Sequence, residues 1–232
     1  MRKLGRLTWL GLAMAALLGA VAGYLVPALT ARAGTCPTGI YHVLGQPSSN
    51  GRGVRAVNPG MQVSNTAVSC LRVSSLAVVG TIPGRFVELG WYEDPSDQLL
   101  VCPTTSGTPK VLVYASYDGA IQCSQNSPTV SPGNYDFYMH DDNQNGVWVY
   151  FWNGQSVGSY NVGTLTSGSP RALGERREQD DSAYSNFEVL KRMNANMGWA
   201  LWSSSSVVED TDPAYRGCFY GATHFTVKTG SC

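Results

Sequence analysis

The sequence has few of the residues that common hydrolases use for nucleophilic catalysis. It contains three histidines, His42, His140 and His224, and no G-x-S-x-G motif, so a Ser-His-Asp hydrolase is poorly supported. Its six cysteines offer no thiol nucleophile if all of them are oxidised. The E-x-D-x-x-E strand that sets two carboxylates on one face of a sandwich glycosidase is also absent. Each histidine is therefore expected to have a structural role.

Clusters of basic residues are missing as well. Beyond the N-terminal residues, the Lys/Arg pairs are Arg176-Arg177 and Lys191-Arg192, and both lie near acids. Without the signal segment predicted below, twelve basic residues face sixteen acidic ones, which gives a net charge of −4. Nothing in this pattern can neutralise a run of phosphates, so a nucleic-acid partner is not expected.

No C-x-x-C motif occurs, which leaves a zinc ribbon or a thioredoxin-like site without support. All six cysteines follow residue 33, and an even number in an exported chain favours three disulfides. Cys102 and Cys123 flank one predicted hairpin and are expected to form a local bridge. The connectivity of the other four cysteines stays open.

The N-terminal residues have the pattern of a secretory signal. Arg2, Lys3 and Arg6 precede a charge-free run from Leu7 to Val26, and Ala31-Arg32-Ala33 offers a cleavage site. We predict a signal peptide over residues 1–33 and a secreted, extracellular protein. The alternative is an uncleaved anchor, because an apolar run of this length can also cross a bilayer.

The remaining chain has the pattern of an all-β protein. Residues 34–53 are rich in Gly, Pro, Ser and Asn and are predicted to form an N-terminal arm tied down by Cys36. Over residues 54–232, about a dozen short alternating runs are separated by turn residues, and a helical pattern is almost absent. Asn153-Gly154 and Asp118-Gly119 suit type I′ hairpin turns. So many short strands favour a two-sheet antiparallel β-sandwich in one domain.

The segment from Asp141 to Gly146, DDNQNG, matches the first half of a calcium-binding loop. Trp152 occupies the twelfth position, where a bidentate Glu is needed. We interpret the segment as a polar turn between two strands, with weak calcium binding as the alternative. No metal and no cofactor is predicted.

Glu88 lies in the most regular predicted strand, at residues 85–92. Val87, Leu89 and Trp91 form one apolar face, so the period of two places Glu88 on the opposite, exposed face with Tyr92. Most carboxylates on such a face are simply solvated. The same rule gives two neighbouring strands outward aromatic residues, and these are Tyr138, Trp148, Tyr150 and Trp152. Such rings are typical platforms for peptide or sugar ligands, but a register shift of one residue turns them into core.

Glu175 is the second carboxylate of interest, in a segment that follows a predicted Gly-Ser-Pro loop and precedes the predicted strand at Tyr184. Its neighbours Arg176 and Arg177 can bind nearby acids in an ordinary surface network. Two carboxylates brought together can instead divide labour, because their repulsion raises one pKa and leaves the other group ionised. Glu88 and Glu175 are therefore candidates for a general acid-base pair.

Two motifs, Glu88-Leu89-Gly90-Trp91 and Leu173-Gly174-Glu175, stand on either side of the hairpin VWVYFWNGQSVGSYNVGTL. Together they resemble the neprosin-like family of secreted glutamic peptidases. The resemblance implies a jelly-roll sandwich of the concanavalin type and cleavage of proline-containing peptides. It also implies a catalytic pair at Glu88 and Glu175, with the substrate framed by Tyr92, Trp148 and Tyr150.

The alternative function is a noncatalytic extracellular module that binds carbohydrate or cell-wall material through the aromatic residues. The expected partner is accordingly an extended peptide or a polysaccharide, with no membrane contact after signal cleavage. We expect the protein to be a monomer.

Overall fold

A computed structural model describes residue 36 and residues 40–64, 68–97, 99–105, 107–163, 168–177 and 183–232. The predicted signal peptide at residues 1–33 lies outside this part of the chain. Residues Cys36–Cys232 form one compact unit. Within the described residues, no helix is long and apolar enough to span a membrane.

The described residues form two antiparallel sheets, which confirms the predicted all-β sandwich. The strands are β1 Tyr41–Pro47, β2 Gly53–Val63, β3 Arg72–Gly80, β4 Phe86–Glu93, β5 Lys110–Tyr117, β6 Ala120–Cys123, β7 Gly133–Asp142, β8 Val147–Trp152, β9 Gln155–Asn161, β10 Gly168–Arg176, β11 Ser185–Phe187, β12 Leu190–Met193, β13 Trp199–Leu201, β14 Ser205–Asp210, β15 Tyr215–Phe219 and β16 Phe225–Thr229. The seven-stranded sheet has the order β14-β1-β10-β3-β4-β5-β6. The second sheet has the order β15-β16-β11-β2-β7-β8-β9, with β12 paired to β2 and β13 paired to β12.

The main hydrophobic core lies between the two sheets. Val87, Leu89 and Trp91 of β4 are fully buried there, as are Phe137 and Met139 of β7. The alternation predicted for both strands is confirmed. Burial of each such side chain contributes about 1.5–3 kcal/mol, so this face fixes the register of each strand.

The two predicted hairpin turns are also confirmed. Asp118 and Gly119 join β5 to β6 with φ values of 48° and 85°. Asn153 and Gly154 join β8 to β9 with φ values of 49° and 78°. Positive φ at both central positions is what a type I′ turn requires.

The facing predicted for β8 is wrong. Trp148 and Tyr150 are fully buried in the core, and Trp152 packs against it, so Val147, Val149 and Phe151 take the outward positions. Every residue of VWVYFW is apolar or aromatic, so alternation along the strand does not distinguish its two faces. The larger aromatic side chains fill the space between the sheets.

Two further predictions are corrected. Residues 41–47, assigned to the arm, form β1, which is hydrogen-bonded between β14 and β10. The Gly-Ser-Pro segment before Glu175 is not a loop, because residues 168–176 form the internal strand β10.

The structure contains three disulfides: Cys36–Cys70, Cys102–Cys123 and Cys218–Cys232. The predicted bridge between Cys102 and Cys123 is confirmed. The segment Asp141–Gly146 comprises the end of β7 and, at residues 143–146, the predicted turn to β8. The Asp141 carboxylate is buried, accepts a hydrogen bond of 2.9 Å from the Gly146 backbone N–H and binds Arg52 at 3.2 Å.

Candidate active site

Glu88 and Glu175 lie on the same face of the seven-stranded sheet. Glu88 is on β4 and Glu175 on β10, and these two strands are the neighbours of β3 on either side. Side chains alternate along a strand, so both acids point away from the core that buries Leu89 and Ala172. We call this surface the outer face. The topology thus brings together two residues that are far apart in sequence.

A smaller hydrophobic cluster, which we call the outer cluster, covers part of the outer face. It lines the strands around the two acids and is completed by the loop after β4, and its buried members are Leu44, Leu71, Val73, Ala77, Tyr92, Cys102, Leu112, Cys123 and Leu173. Leu99 and Tyr114 pack against it. The cluster removes water from the surroundings of the acids, so the outer face is not an ordinary solvated sheet surface.

Glu88 is partly buried and has one hydrogen-bond donor. The Ser75 hydroxyl on β3 donates a hydrogen bond of 2.5 Å to Oε1 of Glu88. Burial raises the pKa of Glu88 to about 7, and the bond from Ser75 acts in the opposite direction. A carboxylate with this pKa can accept or release a proton near neutral pH.

Gly90 allows this contact between β3 and β4. A Cβ atom at this position would lie 2.1 Å from the Ser74 carbonyl oxygen and 2.5 Å from the Ser75 Cα. Any side chain here would push β3 away from β4 and move Ser75 away from Glu88. The glycine of Glu88-Leu89-Gly90-Trp91 therefore has a steric function.

Glu175 is partly buried, and none of the described residues donates a hydrogen bond to its carboxylate. The pKa of Glu175 is raised to about 8, mainly by burial and also by the negative charge of Glu88, while Arg177 acts in the opposite direction. Glu88 has the lower pKa and ionises first, so its charge acts on a Glu175 that is still protonated. The two carboxyl groups are within electrostatic reach of each other and titrate one after the other.

Gly174, next to Glu175, lets β10 approach the second sheet. A Cβ atom at Gly174 would lie 2.8 Å from the Ser185 hydroxyl oxygen and 2.9 Å from the Ala183 carbonyl oxygen. Directly opposite Glu175 on β1 is His42, whose Nε2 lies 2.6 Å from the Glu209 carboxylate. The backbone around Glu175 is therefore fixed from both sides.

Of the predicted ligand-binding residues, only Tyr92 lies on the outer face. It is fully buried in the outer cluster, and its hydroxyl donates a hydrogen bond of 2.7 Å to the Pro103 carbonyl oxygen. Tyr138 is on the outward face of the second sheet. Trp148, Tyr150 and Trp152 belong to the interior and cannot line the site. The prediction that Trp148 and Tyr150 frame a substrate beside Glu88 is therefore wrong.

Sequence reasoning missed Ser75 and Tyr114. Tyr114 on β5 is the direct cross-strand partner of Glu88. Both residues lie in strands with apolar side chains on both faces, RVSSLAVVG and KVLVYASY, so alternation alone does not assign their outward position. The order of the strands, which places both residues near Glu88, cannot be read from the local sequence either.

The arrangement suits acid-base chemistry without a metal ligand set. Groups of three or more His, Cys, Asp or Glu residues that could hold a metal ion are absent from the described part of the chain. Two acids with pKa values raised into the neutral range can exist with one proton between them. One can then donate a proton while the other accepts one.

Comparisons with known proteins identify the fold. No protein family model and no curated protein matches the chain. Among solved structures, it is similar to scytalido-glutamic peptidase bound to a peptide-based transition state analogue, with a TM-score of 0.55 and 12% identity. It is also similar to SCP-B, a member of the Eqolisin family, in complex with the tripeptide Ala-Ile-His, with a TM-score of 0.53 and 12% identity. Each match covers 84% of this chain and 99% of the other. The chain therefore has the β-sandwich fold of these glutamic peptidases.

Proposed function

We propose that this protein is a secreted peptidase of the glutamic type, with Glu88 and Glu175 as its catalytic pair. The observation that carries the proposal is the position of both acids on one face, with pKa values raised to about 7 and about 8. Isolated surface carboxylates have no reason to titrate so high, and perturbed groups of this kind are typical of functional sites. The shared fold with glutamic peptidases is consistent with this assignment.

In this mechanism Glu88 is the general base and Glu175 the general acid. Ionised Glu88 removes a proton from a water molecule, whose oxygen attacks the carbonyl carbon of the scissile peptide bond. The electron pair of the carbonyl moves to its oxygen, which takes up the proton of Glu175. Collapse of the tetrahedral intermediate breaks the C–N bond, and the proton held by Glu88 goes to the leaving amine. Ionised Glu175 then regains the proton from the new carboxyl group, so the pair returns to its starting state.

The roles follow from the surroundings of each acid. Glu88 has the lower pKa and a hydrogen bond from Ser75 that favours the ionised form. Glu175 stays protonated longer because of burial and the charge of Glu88. The singly protonated pair is most populated between these pKa values, so activity should be highest between about pH 7 and pH 8.

The proposed substrate is an extended peptide that contains proline. This finer assignment rests on the resemblance of Glu88-Leu89-Gly90-Trp91 and Leu173-Gly174-Glu175 to neprosin-like peptidases. An extended chain suits a sheet surface, and both acids lie on one face of the seven-stranded sheet. Export is proposed from the N-terminal signal pattern and is consistent with three disulfides, which persist in oxidising compartments.

The test is cleavage of proline-containing peptides by the exported protein from about pH 4 to pH 10, with Glu88→Gln and Glu175→Gln. Each variant should lose at least about 10²-fold in kcat/KM, in the range expected for general acid-base groups. Asp118→Asn is the matched control, because this exposed acid binds Arg85 at the far end of β5. Cleavage that persists unchanged in either Gln variant would remove the proposal.

A second candidate function, polysaccharide binding, has support on the second sheet. Tyr138 and Phe151 stack with ring centroids 4.5 Å apart, and Trp199 contacts Tyr138 edge to face at 6.1 Å. Arg55 lies over the Tyr138 ring and is paired with Asp136. Partly exposed rings beside hydrogen-bonding groups suit sugar recognition.

Retention on insoluble polysaccharides tests this second function. Trp199→Ala and Phe151→Ala should reduce retention, whereas Tyr117→Ala, which removes an exposed ring elsewhere, should not. Equal retention of all three variants, or none for the unmodified protein, would count against it.

A further inference from the structure

Tyr114 occupies the position next to Glu88 across the β4–β5 ladder. The register pairs the two residues directly, so their side chains point to the same face with Cβ atoms about 4.5–5.5 Å apart. Ala77, Glu88, Tyr114 and Cys123 are successive partners across β3, β4, β5 and β6. We call these four residues the Glu88 row. Tyr114 is thus the first side chain beyond Glu88 on the outer face.

The Tyr114 ring is held in place on several sides. It packs against the outer cluster, and its centroid lies 5.7 Å from that of Phe86. Its next neighbour in the Glu88 row is Cys123, which is bonded to Cys102 in the loop after β4. A ring with these contacts loses little further freedom when it meets a ligand, which is what a preorganised donor needs.

The Tyr114 hydroxyl has no hydrogen-bond partner among the described residues. Tyr92, on the same face, differs in this respect, because its hydroxyl is bound to Pro103. Buried or partly buried tyrosine hydroxyls usually find a partner. A phenol beside two acids that lacks one is available to a substrate.

The charges around Tyr114 come from both acids. The pKa of Tyr114 is raised to about 12, mainly by burial and also by the charges of Glu88 and Glu175, while Arg177 acts in the opposite direction. Arg171 of β10 lies opposite Ala77 in the Glu88 row, and Lys110 at the start of β5 donates to the Thr104 carbonyl oxygen at 3.0 Å. The phenol therefore keeps its proton over the whole range in which the two acids titrate.

We propose that Tyr114 is a third catalytic residue, whose hydroxyl donates a hydrogen bond to the carbonyl oxygen of the scissile bond as that oxygen becomes negatively charged. This inference rests on the proposed function of the Glu88 and Glu175 pair. Tyr114 transfers no proton. Glu88 takes the proton of the attacking water, Glu175 supplies one to the carbonyl oxygen, and Tyr114 stabilises the charge that develops before that transfer is complete.

The first experiment measures kcat and KM of Tyr114→Phe on a cleaved peptide. The variant keeps the ring and its packing and removes only the hydroxyl. Loss of one oxyanion donor typically costs about 10²–10³-fold in kcat, so kcat should fall by about this factor while KM changes little. Tyr117→Phe, on the same strand, is the matched control, because its exposed ring contacts Arg85 and not the acids.

The second experiment compares inhibitors. A peptide with a tetrahedral hydroxyl-bearing carbon in place of the scissile carbonyl should bind Tyr114→Phe more weakly by about the factor lost in kcat. The cleaved product peptide should bind both forms alike. A merely structural role for Tyr114 would weaken both ligands together.

The third experiment does not depend on activity. Absorbance titration of phenolate, as the difference between the unmodified protein and Tyr114→Phe, gives the pKa of Tyr114. That pKa should fall in Glu88→Gln and also in Glu175→Gln, because each variant removes a negative charge.

The outcomes separate the two proposals. Full kcat in Tyr114→Phe, together with inactive Glu88→Gln and Glu175→Gln, would overturn the role of Tyr114 and leave the peptidase in place. An unchanged Tyr114 pKa in both Gln variants would also overturn it, because the phenol would then not lie beside both acids. Full activity in the Gln variants would overturn both proposals. A selective loss of kcat and of analogue binding supports the role.

Discussion

The Ser75 hydroxyl donates a hydrogen bond of 2.5 Å to Oε1 of Glu88. Ser75 is fully buried on β3, and its strand is held against β4 by the absence of a side chain at Gly90. The bond lowers the pKa of Glu88 against the larger effect of burial. Ser75 is therefore the group that keeps Glu88 ionised at a pH where Glu175 is still protonated.

Ser75→Ala should move the acidic limb of the pH-activity profile upward. A hydrogen bond to a charged group contributes about 1.5–3 kcal/mol, which corresponds to a shift of about one pH unit or more. The measurement is kcat/KM of one peptide against pH. Ser75→Thr, which keeps the hydroxyl, is the control, and an acidic limb that stays in place in Ser75→Ala would contradict the positioning role.

Glu88→Gln and Glu175→Gln should make the protein more stable at alkaline pH. Both acids have folded-state pKa values, about 7 and about 8, above the ordinary value of 4.5. Between the unfolded pKa of 4.5 and the folded values, the folded protein therefore binds more protons than the unfolded chain. The contribution of the two protonated acids to folding stability is complete below about pH 4.5 and is lost as the pH rises to about 8.

Thermal unfolding at pH 4 and at pH 9 measures this effect. Each Gln variant should gain on the order of 1–3 kcal/mol relative to the unmodified protein at pH 9, and nothing comparable at pH 4. Asp118→Asn, an exposed acid, should show no such difference. If the stability of the unmodified protein and of all three variants changed with pH in the same way, the two acids would not be desolvated.

Asp212→Asn should strongly destabilise the fold. Arg176 donates two hydrogen bonds to Asp212, at 2.6 and 2.7 Å, and both side chains are fully buried. Removal of one partner leaves an uncompensated buried charge, which costs about 3–5 kcal/mol. Asp210→Asn is the control, because its pair with Arg216 at 3.5 Å is partly exposed and should contribute less than about 1 kcal/mol. Urea unfolding measures the free energy of unfolding of both variants, and an equal loss in Asp212→Asn and Asp210→Asn would contradict the prediction.

Gly90→Ala should reduce both stability and activity. The added Cβ would lie 2.1 Å from the Ser74 carbonyl oxygen, so β3 and β4 must separate. Overpacking of this kind costs about 1–3 kcal/mol or more, and the separation also moves Ser75 away from Glu88. Gly198→Ala is the control, because its Cβ would meet only the flexible Asn194 side chain, at 3.2 Å. A fully active, equally stable Gly90→Ala protein would refute the steric function.

The sequence allowed correct facing where a strand has one apolar and one polar side. In β4, the inward positions are all large and apolar, whereas the outward positions include the charged Glu88, so the alternation is unambiguous. In β8, apolar residues occupy both sides, so only packing between the two sheets decides that Trp148 and Tyr150 turn inward. Alternation carries no information in such a strand.

The strand that carries Glu175 was hidden by its composition. β10 begins with Gly168-Ser169-Pro170, residues typical of a turn. Proline is tolerated there because the register of β1 with β10 ends at the pair Gly45 and Ala172, so the β1 side of Pro170 needs no ladder hydrogen bond. This feature depends on a strand more than a hundred residues away and cannot be read locally.

The pairing of Glu88 with Glu175 was indicated by the resemblance of two short motifs rather than by any local pattern. What brings them together is the order β10-β3-β4, in which β10 comes from a distant part of the chain. Ser75 and Tyr114 depend on the same order. A period of two gives the face of each residue, whereas neighbours across a sheet are set by long-range pairing.

Glu175 and Arg176 are consecutive on β10 and therefore point to opposite faces of the sheet, one toward the outer face and the other toward its buried partner Asp212. If β10 slid by a single residue, the guanidinium would emerge beside Glu88 and a carboxylate would enter the interior, while Asp212 would be left with no counter-charge. The buried pair and the facing of Glu175 are therefore set together: the register that pairs Arg176 with Asp212 also places Glu175 on the outer face.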